Sequence, residues 1–87
     1  MREVKFTPSA LAAYETAADQ QPHLGDRLDE ALDWIETQPV DVRAKRRAWS
    51  GGMYGIDIRH ADQDWLIIWN DASPQPLVVY VGTAANL

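Results

Sequence analysis

The chain has 87 residues, of which 46% are hydrophobic and 24% are charged, a composition typical of one small globular domain spanning residues 1–87. Its 13 acidic residues outnumber its eight basic residues, and the formal net charge is −5. This balance disfavours nucleic-acid binding, because Lys and Arg contacts with phosphates supply most sequence-independent affinity. The chain contains no cysteine, which excludes disulfides, zinc–thiolate sites and thiol nucleophiles.

The sequence shows no targeting or membrane signal. Its first ten residues, MREVKFTPSA, lack the apolar segment of a signal peptide. No run approaches the roughly 20 apolar residues that a membrane helix needs. We therefore expect a soluble, cytoplasmic protein without a membrane partner. The two histidines and the scattered acidic residues show no metal-ligand spacing, so we expect neither a metal nor another cofactor.

The first third of the chain predicts a strand followed by a helix. Val4 and Phe6 alternate with charged residues over residues 3–6, which is the pattern of a half-buried strand. Thr7 suits a helix N-cap, and Pro8 suits the first helical position, so a helix is predicted from about residue 8 to residue 19. Its apolar stripe is predicted to consist of Leu11, Tyr14 and Ala18.

A second helix is predicted by a longer apolar periodicity, which ends at Gln38-Pro39. The members of its buried stripe are Leu24, Leu28, Ala31, Leu32 and Ile35. Five acidic residues lie mostly elsewhere on this helix: Asp26, Asp29, Glu30, Asp33 and Glu36. They indicate a solvated acidic face, with a docking patch or metal site as the less favoured alternative. The short linker between the two helices predicts a helical hairpin.

The second half of the chain predicts an antiparallel meander. Its strands are predicted over residues 45–50, 53–60, 64–70 and 77–81, separated by the turn residues Gly51-Gly52, a loop over 61–63 and a turn over 71–76. The polar residues 82–87 follow as a tail. The resulting order is β-α-α-β-β-β-β, an α+β fold with a two-helix hairpin packed on a mostly antiparallel sheet.

This order, together with four sequence features, resembles the RelE/ParE toxin superfamily of bacterial toxin–antitoxin systems. The four features are the opening VKFTPSA, the helical hairpin, the basic segment with its glycine turn and YGIDIR, and the strands WLIIW and VVYVG. The resemblance implies the RelE/ParE-like fold and an antitoxin protein as partner. It further implies the ribosome with its mRNA, or gyrase, as target, and it leaves homo-oligomerisation open.

The ribonuclease branch of that family uses basic residues on one face of the sheet to stabilise a phosphate transition state. The family's two lysines in the strand after the glycine turn correspond to Gly55 and Asp57, and its core-strand arginine falls near Trp65. Only Arg59 keeps a basic residue on the expected face. The resemblance therefore implies a toxin fold in which most of the usual catalytic residues are missing.

A substitute basic site is the alternative for catalysis. Lys45, Arg46 and Arg47 could bind RNA phosphates, or they could be charges that protect a strand edge from aggregation. Arg59, His60 and Arg47 are the candidate catalytic residues, since histidine titrates near neutral pH. Under the plainer interpretation, His60 is an ordinary surface residue at the end of a strand. Tyr80 is a weaker candidate.

Three apolar residues of the core strand are the candidate partner-binding surface: Trp65, Ile67 and Trp69. If the helices cover the sheet face that carries Ile56 and Ile68, these three lie on the opposite face. An exposed apolar patch there would suit an antitoxin peptide or stacked bases. Alternatively, another part of the chain covers them.

Three functional hypotheses follow. The chain is a RelE/ParE-like toxin component that binds an antitoxin peptide and lacks most catalytic basic residues. Alternatively, it is an active ribosome-dependent mRNA endoribonuclease with a rearranged basic site. Finally, it is a non-toxic protein-binding module on the same fold. The acidic charge and the missing lysines favour the first and third hypotheses.

Overall fold

The computed structural model describes residues 4–37, 47–49, 51–71 and 75–86. Within these ranges the elements, in chain order, are β1 (Lys5–Phe6), α1 (Pro8–Gln20), α2 (Pro22–Thr37), β2 (Arg47–Trp49), β3 (Met53–His60), β4 (Gln63–Asn70), β5 (Leu77–Thr83) and a 3-10 turn (Ala84–Asn86). The predicted element order is confirmed.

The strands form one sheet in the order β1-β5-β4-β3-β2. β1 pairs with β5 in parallel, and the remaining pairs are antiparallel. The side chains of α1 and α2 share one hydrophobic core with residues from β3, β4 and β5. The predicted α+β fold, with a helical hairpin on a mostly antiparallel sheet, is therefore confirmed.

The ends of the helices follow from local chemistry. The Thr7 hydroxyl accepts a hydrogen bond from the Ala10 N–H at 3.3 Å, and Pro8 occupies the first turn of α1, as predicted for an N-cap followed by proline. Gln21 alone links the helices, and its N–H donates to the Ala17 carbonyl at 2.8 Å. α2 begins at Pro22, because proline is tolerated in a first helical turn.

The predicted buried stripe of α1 is wrong at Leu11, which is 40% exposed. Alanines supply the buried face instead, with Ala10 and Ala17 in the core. Small side chains let the helix approach its neighbours closely. At Gly25 of α2, an added Cβ would lie only 3.0 Å from the Cα and Cβ of Ala18, so a larger residue would force the two helices apart.

The predicted stripe of α2 is confirmed. Leu24, Leu28, Ala31 and Ile35 are at most 1% exposed, and Leu32 is half-buried at the edge of the core. This stripe faces the sheet, where Ile56, Ile67 and Trp69 are equally buried. Burial of a Leu or Ile side chain contributes about 1.5–3 kcal/mol, so α2 is held by its packing rather than by its helix propensity.

Gly51 and Gly52 lie in the turn between β2 and β3, and a two-residue turn connects β3 with β4. Gly51 and Gly52 have φ angles of 82° and 78°, which glycine adopts without steric cost. Ala61 and Asp62 have φ angles of 51° and 63°, in the left-handed region that non-glycine residues seldom occupy. The second turn is one residue shorter than the predicted loop over residues 61–63.

β5 contains an irregularity that sets which of its side chains face the helices. Ile68 is opposite Tyr80, whereas the next residue, Trp69, is opposite Val78, so one residue of β5 has no counterpart. Strict alternation would place Val78 and Val81 on opposite faces, yet both are buried in the helix-side core. A bulge of this kind allows that arrangement. β5 also runs to Thr83, two residues beyond the predicted end.

Candidate functional site

The β3–β4 register assigns the side chains of the central strands to two faces. Tyr54 is opposite Trp69, Ile56 is opposite Ile67, and Ile58 is opposite Trp65. These three pairs belong to, or pack against, the core shared with α1 and α2, so they define the helix face. The intervening residues define the distal face, on which Gly55 is opposite Ile68, Asp57 is opposite Leu66, and Arg59 is opposite Asp64.

The expectation that Trp65, Ile67 and Trp69 lie on the face away from the helices is wrong. Ile67 and Trp69 are fully buried in the helix-side core, and Trp65 is partly buried against it. The Trp69 ring lies 5.4 Å from the ring of its cross-strand neighbour Tyr54. Ile67 and Trp69 therefore stabilise the fold and offer no exposed surface on which a partner peptide or bases could dock.

Leu66 and Ile68, the apolar residues of β4 on the distal face, do not form an exposed patch in their place. Leu66 is fully buried and Ile68 is 8% exposed, although neither belongs to the helix-side core. Tyr80 is opposite Ile68, and Gly82 is opposite Leu66. The Tyr80 hydroxyl donates to the Thr83 carbonyl at 2.8 Å and occupies the space above Gly82, where an added Cβ would come within 2.7 Å of it.

The candidate catalytic residues do not converge within the described part of the chain. The Arg59 guanidinium donates to the Asp64 carboxylate at 3.2 Å, and both side chains are more than half exposed. His60 follows Arg59 along β3, so its side chain belongs to the opposite face. A catalytic role for Arg59, His60 and Arg47 stays a prediction, although strand alternation separates the first two across the sheet.

The proposed phosphate-binding run is only partly described. Lys45 and Arg46 lie outside the described residues. Arg47 begins β2, where its backbone is opposite Gly55. The residues of β3 that flank Gly55 on the distal face are Met53 and Asp57. An RNA-binding role for the run stays a prediction.

A groove between β1, α1 and α2 has both polar and apolar lining residues. We call it the Tyr14 groove; it encloses about 320 Å³ and is lined by Val4, Phe6, Tyr14, Asp29, Leu32, Asp33 and Glu36. The Tyr14 ring stacks on Phe6 with a centroid distance of 5.6 Å. Its hydroxyl donates a hydrogen bond to the Asp29 carboxylate. The site therefore combines an apolar wall with carboxylates on α2.

The Tyr14–Asp29 contact perturbs the phenol. The hydrogen bond to Asp29, burial and the nearby negative charges raise the pKa of Tyr14 to about 12. Each cause disfavours the phenolate, because that form would lose its donor proton and repel the carboxylate. Tyr14 is therefore a fixed hydrogen-bond donor at neutral pH. It is not poised for proton transfer, which needs a pKa near the working pH.

The sequence interpretation missed this groove. It assigned Tyr14 to a buried stripe and the acidic residues of α2 to a solvated face. A signal was nevertheless present, because Asp29, Asp33 and Glu36 follow the i, i+4, i+7 spacing that places side chains on one side of a helix. Nothing in the local pattern indicated that β1 and α1 would provide the opposite wall.

A second cleft of about 370 Å³ lies between α1 and the ends of β4 and β5, and its lining includes Ala13, Ala17, Trp65 and Val81. The Trp65 Nε1 atom is buried there without a hydrogen-bond acceptor. A buried unsatisfied N–H costs about 1–3 kcal/mol. Most of its α1 wall consists of small side chains, and none of its described lining residues is charged.

The described ranges hold no group of three or more His, Cys, Asp or Glu side chains that could bind a metal ion. Neither α1 nor α2, as described, is long and apolar enough to cross a membrane. No protein-family model, curated protein or solved structure matches the chain. The functional argument therefore depends on the site geometry and on the family resemblance in the sequence.

Proposed function

We propose that the chain is a RelE/ParE-like toxin component of a toxin–antitoxin pair, which binds an antitoxin peptide and lacks the ribonuclease site of that family. The arrangement of a helical hairpin on one face of a five-stranded, mostly antiparallel sheet supports the family resemblance. The charges on β3 and β4 support the other part of the proposal, that the chain lacks the ribonuclease site.

That charge distribution suits protein binding better than phosphate chemistry. The distal face places Asp57 next to Arg59 along β3, and Arg59 is already bonded to Asp64. Phosphoryl-transfer catalysis needs preorganised cations directed at the developing negative charge. In the described part of the sheet the carboxylates offset the one arginine of β3, so the cytoplasmic toxin would act by binding its target.

Induced expression in a bacterial host tests this proposal. We expect growth arrest that is relieved by co-expression of a small protein encoded beside the chain. A double variant, Arg59→Ala with His60→Ala, should still arrest growth, because neither residue is needed for binding. Arg27→Ala is the matched control, since it removes an exposed arginine from α2.

The outcomes separate the candidate functions. Absence of arrest by the folded, soluble chain would refute the toxin proposal and favour the non-toxic binding module. Arrest that disappears in the Arg59 and His60 double variant but persists in Arg27→Ala would instead support the endoribonuclease with a rearranged site. Circular dichroism of each variant confirms that the fold is intact.

A further inference from the structure

We propose that the Tyr14 groove is the docking site for a basic segment of a partner protein, one that carries Lys or Arg side chains around an apolar anchor residue. The inference depends on the proposed function only for the identity of that partner, which would be the antitoxin. The polarity of the contact, with acidic groups on this chain and basic groups on its partner, follows from the groove itself.

The apolar wall of the groove suits an anchor side chain. Val4, Phe6 and Leu32 are each half-buried and pack against the edge of the core, so part of their apolar surface faces the groove. The enclosed volume of about 320 Å³ exceeds the size of a single side chain. An apolar residue placed against this wall would gain a free energy of about 25 cal/mol for each Å² of apolar surface that it buries.

The charged rim of the groove determines which sign of charge the partner segment must carry. Asp29 and Asp33 are exposed and Glu36 is half-buried, and all three line the groove. No basic side chain is among its described lining residues. Residues 8–37 contain seven acidic side chains and one arginine, so the whole helical layer attracts cations. Complementary charge of this kind speeds and orients association.

The Tyr14–Asp29 hydrogen bond makes the groove a preorganised surface. Tyr14 is held between the Phe6 ring and the Asp29 carboxylate, which fixes both the wall and one acceptor before a partner arrives. Preorganisation reduces the ordering cost of binding. An ionised Asp29 still has acceptor capacity for a guanidinium or ammonium group, because a carboxylate accepts several hydrogen bonds.

The other surfaces described above fit a partner less well. On the distal face Arg59 and Asp64 neutralise each other, and Leu66 and Ile68 are already buried. The cleft beside Trp65 carries no charged side chain, so it offers nothing that would select one class of partner. Of these three surfaces, only the Tyr14 groove combines exposed charged side chains with apolar surface.

Selection from a phage library of random dodecapeptides tests the proposal with the full chain as bait. We expect the enriched peptides to carry net positive charge and at least one large apolar residue. Their affinities are then measured by fluorescence anisotropy against two double variants. Asp33→Asn with Glu36→Gln removes two groove charges, whereas Asp26→Asn with Glu30→Gln removes two exposed charges of α2 that do not line the groove.

The two double variants have equal net charge, so they separate a local contact from a general electrostatic attraction. Each exposed ion pair contributes little, and we expect the groove variant to bind about 3- to 20-fold more weakly and the control variant less than about twofold more weakly. Equal losses in both variants, or enrichment of neutral or acidic peptides, would overturn the proposal. So would a shift of the groove variant from dimer to monomer in analytical ultracentrifugation, because the occupant would then be a second copy of the chain.

The growth assay is independent of this measurement. Growth arrest combined with a failed peptide result would refute the groove proposal and leave the toxin proposal standing. The expected peptide result without growth arrest would support a basic partner and refute the toxin function.

Discussion

Replacement of Tyr14 by phenylalanine tests the physical basis of the groove. Tyr14→Phe keeps the ring that stacks on Phe6 and removes only the hydroxyl that donates to Asp29. The rise of the Tyr14 pKa from 10.0 to about 12 corresponds to at most about 2.7 kcal/mol, since each pKa unit is worth 1.36 kcal/mol. Asp29 is exposed, so water competes for it, and we expect a loss of about 1 kcal/mol at pH 7.

The pH dependence of this contribution has a definite sign. The folded-state pKa of Tyr14 is raised above its unfolded value, so the stabilisation is fully present below pH 10 and is lost between about pH 10 and 12. The difference in the free energy of unfolding between wild type and Tyr14→Phe should therefore be constant from pH 7 to pH 9. It should decline steadily above pH 10.

Urea unfolding followed by tryptophan fluorescence measures these differences. A loss of about 1 kcal/mol would lower Tm by about 4–8 °C for a chain of this size. Asp29→Asn is the companion variant, because its amide oxygen still accepts the hydrogen bond while the charge is gone, so the decline above pH 10 should be smaller. Equal stability of Tyr14→Phe and wild type at pH 7 would refute the assigned contact. So would a difference in their free energies of unfolding that stays constant above pH 10.

Three further substitutions test the sheet. Gly51→Ala should destabilise by about 1 kcal/mol in urea unfolding, because φ is +82° and no atom lies within 4 Å of the added Cβ, so only backbone strain contributes. Gly82→Ala should displace the Tyr80 hydroxyl, which lies 2.7 Å from the added Cβ, and a double-mutant cycle with Tyr80→Phe should be non-additive; additive losses would contradict that contact. Arg59→Ala should change stability by less than about 1 kcal/mol, since its ion pair with Asp64 is exposed, and a larger loss would show that Arg59 has another structural role.

The sequence predicted the elements well because their signals are local. The N-cap at Thr7, the stripe of α2 and the glycine turn depend on residues within a few positions of each other, and each is found where predicted. The stripe of α1 was harder to predict, because a helix with many alanines has little contrast between its faces. Close approach to α2 and the sheet selected alanines over Leu11.

The error in the sheet faces has one cause, a loop that was predicted one residue too long. A loop over residues 61–63 would pair Ile56 with Ile68, which places both on the same face. The observed turn contains only Ala61 and Asp62 and pairs Ile56 with Ile67. A shift of one residue moves every side chain of a strand to the other face. Neither turn residue is a glycine, so no local signal indicated that both have positive φ.

That shift of one residue also changes which surfaces are available to a partner. With Ile67 and Trp69 buried against the helices, and with Leu66 and Ile68 also buried, residues 66–69 of β4 are enclosed on both faces, as the continuous run WLIIW would suggest for a central strand. A binding surface in the middle of the sheet is then excluded among the described residues. A partner of the proposed kind would then bind at the rim or at the helical layer, and the helical layer is where the acidic charge is concentrated. The acidic charge of this layer suits the basic partner proposed above, and the same charge would weaken any surface that held phosphates.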